Sequence, residues 1–165
     1  MSKYLFADTE TTGLVNPKPV EIFCQPWLEV GELGRSFNVL IHREDHEFET
    51  KALEMAHESG LYEAMKQYGV SPADAFKQFE EYLKSLDGDG WILSGSDPGF
   101  DVRVLKNFCF DFIWESKMHY RTLDVNTVCY LFSWEKDKLP RKHRAEDDVN
   151  RDIGIWERAL KKVGH

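Results

Sequence analysis

The sequence predicts an α/β protein with a mixed central sheet flanked by helices, and three patterns carry that prediction. Strand-like apolar runs fill the first 42 residues, helical spacing takes over after residue 51, and the apolar run Trp91-Ile92-Leu93-Ser94 returns between helical stretches. Strands first, then helices interleaved with further strands, is the order expected of a mixed sheet carrying helices on its faces.

Taken in order, residues 3–7 read as a buried first strand, and residues 20–30 and 36–42 as two more, separated by a turn around Gly31 and Gly34. Residues 43–50 are acidic and polar and read as a loop. Two or three helices are expected across residues 51–86. Ser71-Pro72-Ala73-Asp74 starts one of them, with Ser71 as N-cap, Pro72 at the first helical position and Asp74 at the third. Phe76, Phe79, Tyr82, Leu83 and Leu86 then recur at helical spacing and form a core-facing stripe. Gly88-Asp89-Gly90 breaks the chain before the strand at 91–94. A helix is expected over 101–108 and a short strand end at 122–125, followed by another helix. The last helix should run over 144–162, with Val149, Ile153, Trp156 and Leu160 on its inner face.

At 165 residues, with no internal repeat, linker or low-complexity segment, the expectation is one domain spanning 1–165 with its own core. A content of 42% apolar and 13% aromatic residues is that of a folded chain, not a disordered one. No apolar run approaches the roughly 20 residues that span a bilayer. The first residues lack a signal-peptide pattern, so a cytoplasmic protein without a membrane partner is expected. Cys24, Cys109 and Cys129 are widely spaced without a CxxC pair and read as reduced core thiols. The net charge of −8 argues against a basic face that coats long duplex. Several of those acids would be cancelled locally if they held metal ions, which leaves room for a short or locally gripped nucleic acid.

The chemistry is concentrated in a few acids. Asp8 and Glu10 close the first apolar run in Asp8-Thr9-Glu10-Thr11-Thr12-Gly13-Leu14. Strand alternation puts both on one face, roughly 7 Å apart by rise. Like charges in that position repel and lose solvation, so a divalent cation between them explains the pair better than packing does. Asp101 follows the loop Gly95-Ser96-Asp97-Pro98-Gly99-Phe100, just after a strand. His143 and Asp148 stand in His143-Arg144-Ala145-Glu146-Asp147-Asp148. Five helical residues rotate about 500°, leaving the two side chains roughly 140° apart. His143 is therefore placed in the loop before the helix and Asp148 on the helix, a fixed ligand beside a base that swings to a water. His42 and His46, amid Arg43, Glu44 and Asp45, read as a solvated loop.

DxE near the start, an aspartate after a Gly-led loop, and HxxxxD near the end resemble the DEDDh group of 3′→5′ exonucleases, in the right order and across nearly the whole chain. Within that group the sequence is most similar to oligoribonuclease: Gly95 to Leu105 has its glycine-to-aspartate spacing, His119-Tyr120-Arg121-Thr122-Leu123-Asp124-Val125 is similar to its HYRxxDV stretch, and His57-Glu58-Ser59-Gly60-Leu61 resembles its HxxSGL segment, one residue shorter. Three departures stand out. Ser96 replaces the usual asparagine, no tryptophan occurs across residues 51–55, and Thr11-Thr12-Gly13-Leu14 resembles the proofreading type more closely.

The resemblance implies an RNase H-like fold and two-metal hydrolysis. Asp8, Glu10, Asp101 and Asp148 would hold two Mg²⁺ or Mn²⁺ ions about 4 Å apart, with His143 as general base. Helical register alone does not decide between Asp147 and Asp148; the family spacing selects Asp148. Leu14 would wedge beside a terminal base, Thr11 and Thr12 would face the 3′ end, and Tyr120 would reach a phosphate in the site of a partner subunit. Arg141, Lys142 and Arg144 either contact phosphate or solvate the loop around His143. The expected substrate is short single-stranded RNA, cut to nucleoside 5′-monophosphates by a homodimer. The alternatives are a DNA-trimming or proofreading exonuclease, which the DTETTGL motif supports, and a non-catalytic nucleic-acid-binding module.

Overall fold

The computed structural model describes residues 3–134 and 144–164. Thirteen helices and strands, together with one 3-10 turn, make up those residues. Strands β1 (Lys3–Thr11), β2 (Pro19–Glu29), β3 (Glu32–Leu33) and β4 (Phe37–Leu40) come first. Helices α1 (Thr50–Glu58), α2 (Leu61–Tyr68) and α3 (Pro72–Ser85) follow. Then come β5 (Trp91–Gly95), α4 (Pro98–Lys106), α5 (Asp111–Lys117), β6 (Met118–Asp124), α6 (Val125–Leu131) and α7 (Ala145–Val163).

The sheet runs in the order β3-β2-β1-β5-β6, with β4 also paired to β2. β1 pairs antiparallel with β2 and parallel with β5, and β5 pairs parallel with β6, so the sheet is mixed as expected. β1 is central because its apolar run can be buried on both faces. Leu5 and Ala7 join one core with α3 and α5, while Phe6 points the other way into a second core built on α7. That alternation fixes the faces of the residues that follow. Asp8 and Glu10 share the α7 side of the strand with Phe6, and Thr9 shares the opposite side.

Both predicted helices with strong signals formed as read. Ser71 Oγ accepts the Asp74 N–H at 3.1 Å, which satisfies one of the first-turn donors of α3, and Phe79 and Leu83 are fully buried from its stripe. On α7, Val149 and Ile153 are buried. Trp156 meets Tyr4 at 5.2 Å between ring centroids, and Trp27 Nε1 donates to Glu157 at 3.2 Å. These contacts hold α7 across β1 and β2.

Four local expectations are corrected. The turn between β2 and β4 contains the two-residue strand β3. The expected loop at 43–50 contains a 3-10 turn, Asp45–Glu47, closed by reciprocal bonds between Glu44 and Glu47. α4 begins three residues before Asp101 because Pro98 occupies its first turn, where the missing N–H costs nothing. β6 is seven residues long, not a short strand end. It is an edge strand with Tyr120, Arg121 and Thr122 exposed, so no apolar run announces it. The seven-residue helix α5 was not anticipated either.

Candidate metal centre and groove

At the C-terminal end of β1, three carboxylates converge. Asp8, Glu10 and Asp148 each offer an oxygen, and the three oxygens lie within 4.8 Å of one another. The first two arrive by strand alternation and the third from the first turn of α7, packed over that face. Asp147, its neighbour, is exposed. Asp101 comes from α4 on the opposite side of β1. It is 3% exposed, and its Oδ1 accepts the hydroxyl of Thr9 at 2.7 Å. Thr9 thus anchors the fourth acid, which stands apart from the three converging oxygens but close enough to add to the charge around Asp8 and Glu10.

Close backbone contact makes this possible. Gly95 ends β5 with φ +156°, and a Cβ there would stand 2.8 Å from the Ala7 carbonyl oxygen. Only glycine lets β5 close onto β1 immediately before Asp8.

The electrostatics are those of crowded acids, with the Arg151 cation at the Asp148 side. Burial raises the Asp8 carboxyl well above its ordinary range, and Asp101, Glu10, Asp148 and Asp152 add to the effect. Burial pushes Asp101 from 3.8 to about 7 against the pull of the Thr9 hydrogen bonds, with Asp97 and Glu10 adding repulsion. A set of hard oxygen donors in this state fits a divalent cation such as Mg²⁺ or Mn²⁺.

Two further residues of α7 enter the cluster. Asp152, one turn beyond Asp148 and 2% exposed, accepts from Ser96 Oγ at 3.0 Å. Arg151 donates to Asp148, and to Asp152 at 3.1 and 3.2 Å. The motif reading missed both. Their i+3 and i+4 spacing from Asp148 was the available signal, since such residues share a helix face.

A pH dependence follows from the raised carboxyls. Asp8 and Asp101 bind protons more tightly in the folded than in the unfolded chain. The Asp101 contribution is fully present below the ordinary range near 3.8 and is lost as pH rises through about 7, and that of Asp8 is lost in the same direction. In EDTA the protein should therefore melt at a lower temperature at pH 8 than at pH 6. Millimolar Mn²⁺ should raise the melting temperature more at pH 8 than at pH 6. A concentration of 100 Kd stabilises by about 2.7 kcal/mol, or roughly 5–10 °C for a chain of this size. Thermal scans at the two pH values, with and without Mn²⁺, check it; equal melting temperatures throughout would refute the site.

Beside the acids lies a groove of about 360 Å³, lined by Glu10 together with Leu14, Ala52, Met55, Leu61 and Phe100. The Arg103 guanidinium stacks over the Phe100 ring at 5.2 Å and braces it. Leu14 is 72% exposed at the rim. Thr11 lines the groove, and its hydroxyl donates to the Gly13 carbonyl at 2.9 Å. Thr12 is 1% exposed, with its hydroxyl accepting the Lys18 N–H at 3.3 Å, so it holds the turn together. Tyr120 is 82% exposed on the edge strand β6 and does not line the groove. His143 lies outside the described residues; the helix that follows it begins at Ala145 and carries Asp148, as expected.

The N-terminus of α7 is anchored by a residue the motifs do not include. Glu21, completely buried on β2 and paired across the strands with Glu10, accepts Arg144 Nη2 at 2.8 Å and the Ala145 N–H at 3.1 Å.

No family model and no curated protein matches the chain. Solved structures do. E. coli Exonuclease I in complex with a dT13 oligonucleotide aligns with a TM-score of 0.72 at 17% identity, over 97% of this chain and 41% of that one. The zinc-bound E. coli Exonuclease I complex with single-stranded DNA gives 0.73 at 14% identity, over 99% and 41%. A moderately thermophilic Exonuclease I from Methylocaldum szegediense gives 0.72 at 14% identity, over 98% and 41%. The fold is therefore the RNase H-like fold of these structures, and the chain spans about two fifths of their length. No helix of the described residues is long and apolar enough to cross a membrane.

Proposed function

We propose that the chain is a metal-dependent 3′→5′ exonuclease acting on single-stranded nucleic acid, with DNA as its substrate. The observation that carries this reading is the convergence of Asp8, Glu10 and Asp148 within 4.8 Å, with Glu10 also lining a groove. DNA is placed first because the structures of like fold hold dT13 and other single-stranded DNA. The DTETTGL sequence points the same way.

Asp8, Glu10, Asp101 and Asp148 would hold the divalent cations. When bound, such ions lower the pKa of water and offset charge on the phosphate. The 3′-terminal nucleotide would lie along the groove with its base against Leu14, Met55 and Phe100 and its phosphate beside Glu10. Stacking of this kind is tolerant of base identity. His143 would accept the proton of the attacking water. The water oxygen bonds to phosphorus, the bond from phosphorus to the 3′ oxygen breaks, and that oxygen takes a proton. The products are a nucleoside 5′-monophosphate and a strand one nucleotide shorter with a free 3′ hydroxyl.

A second reading keeps short RNA as substrate and a homodimer as the working form. Its support is Tyr120, 82% exposed on the edge of the sheet beside Arg121, where a second copy could receive it.

The test is a 5′-labelled 20-nucleotide DNA beside RNA strands of two, five and twenty nucleotides, incubated with Mn²⁺ or EDTA. A metal-dependent ladder that shortens from the 3′ end, fastest on DNA, is expected. Fastest loss of the RNA dinucleotide would put the second reading first, and no cleavage of any strand would overturn both.

A further inference from the structure

We propose that Glu49 is a positioning residue that makes the enzyme recognise an oligonucleotide and not merely a terminal nucleotide; this rests on the exonuclease reading above. Glu49 lies just before α1, 35 residues from the turn it organises. Its Oε1 accepts the backbone N–H of both Leu14 and Val15, each at 2.8 Å. Its own N–H donates to the Thr12 carbonyl at 2.8 Å. Between those contacts sits Gly13, with φ +155°, and a Cβ on it would fall 2.2 Å from the Glu49 carboxyl carbon. The absence of a side chain at Gly13 is what lets the carboxylate reach under the turn.

The turn stands between two depressions. One is the groove that Glu10 lines; the other, of about 350 Å³, is lined by Val15, Asn16, Lys18 and His46. Glu49 lines both. Leu14 has little packing of its own, being 72% exposed, so its place between them is set by the two hydrogen bonds beneath it. A rigid apolar side chain there separates the terminal base from its neighbour. A substrate with no neighbouring nucleotide gains only the contact with its own base.

The experiment compares the dT10 oligonucleotide with thymidine 5′-monophosphate p-nitrophenyl ester, measuring kcat and KM for wild type, Glu49→Ala, Glu49→Gln and Leu14→Ala. A misplacement of about 1 Å can cost up to about 10²-fold in rate. Glu49→Ala is therefore expected to lose about tenfold or more in kcat/KM on dT10 and less than about twofold on the ester. Glu49→Gln, whose amide oxygen still accepts both N–H groups, should recover most of the loss, and Leu14→Ala, which also removes a contact with the terminal base, should lose more on dT10 than on the ester. Leu14→Ala removes an exposed side chain and keeps the test decisive if Glu49→Ala folds poorly. Equal losses on both substrates, or no loss on dT10, would overturn the inference. If wild type cleaves neither substrate, the exonuclease reading fails instead.

Discussion

Asp8→Asn is expected to abolish hydrolysis while raising the melting temperature of the metal-free protein. Opposite signs for activity and stability are the signature of a charge kept for function. Asp8 is held with its carboxyl well above the ordinary range by burial first, then by Asp101, Glu10, Asp148 and Asp152. Ionising it in that company is unfavourable, and asparagine has the same shape without the charge. The gain should be a few degrees in EDTA and should grow with pH, as the wild-type carboxyl is driven to give up its proton. Turnover should fall by about 10³-fold or more, because losing a metal ligand forfeits several kcal/mol of charge stabilisation at about 1.4 kcal/mol per factor of ten. Mn²⁺ should lose most of its stabilising effect on the variant as well. Thermal scans and steady-state rates on one preparation check all three statements. A variant that melts lower in EDTA would mean that Asp8 serves packing, and one that retains turnover would mean that the cations are held elsewhere.

The features legible in the sequence are those that follow from local periodicity. β1 and the shared face of Asp8 and Glu10 were legible because alternation in a strand fixes faces whatever the tertiary contacts. The start of α3 was legible because Ser71 and Pro72 act within one turn. The choice of Asp148 over Asp147 needed the family spacing; the structure has Asp148 in the cluster and Asp147 in solvent. Pro98 carried the same start signal as Pro72, yet the glycines around it read as loop, and α4 was placed too late. β6 was hidden by the polar residues an edge strand carries. Contacts made across the fold were illegible for a different reason. Glu49 meets Leu14 across 35 residues, and Glu21 meets Arg144 across 123, so no window of sequence contains both partners. Nothing in the composition of residues 43–50 marks Glu49 out from the acids around it.

The contact between Glu21 and Arg144 carries the other large effect, and it falls on stability and site together. Glu21 is completely buried in β2. Its two oxygens accept Arg144 Nε at 3.1 and 3.3 Å, Arg144 Nη2 at 2.8 Å and the Ala145 N–H at 3.1 Å. The last of these is a first-turn donor of α7 that has no partner within the helix. Glu21→Ala would leave the guanidinium and that N–H without their acceptor. Breaking a buried pair from one side costs about 3–5 kcal/mol. Arg144 is 32% exposed and can recover some hydration, so the lower end applies, about 3 kcal/mol. That corresponds to a melting temperature lower by roughly 6–12 °C. The loss should reach the metal site, because the freed end of α7 lies one turn from Asp148 and directly follows His143. Mn²⁺ affinity, measured by calorimetry well below the melting transition, should fall as well. A double-mutant cycle with Arg144→Ala separates the pair from its surroundings. The two single losses should exceed the loss of the double variant when summed, since each removes the same interaction. Strictly additive losses would show that Glu21 and Arg144 act independently, and unchanged Mn²⁺ affinity would show that α7 keeps Asp148 in place solely through the core that Val149 and Ile153 share with Phe6.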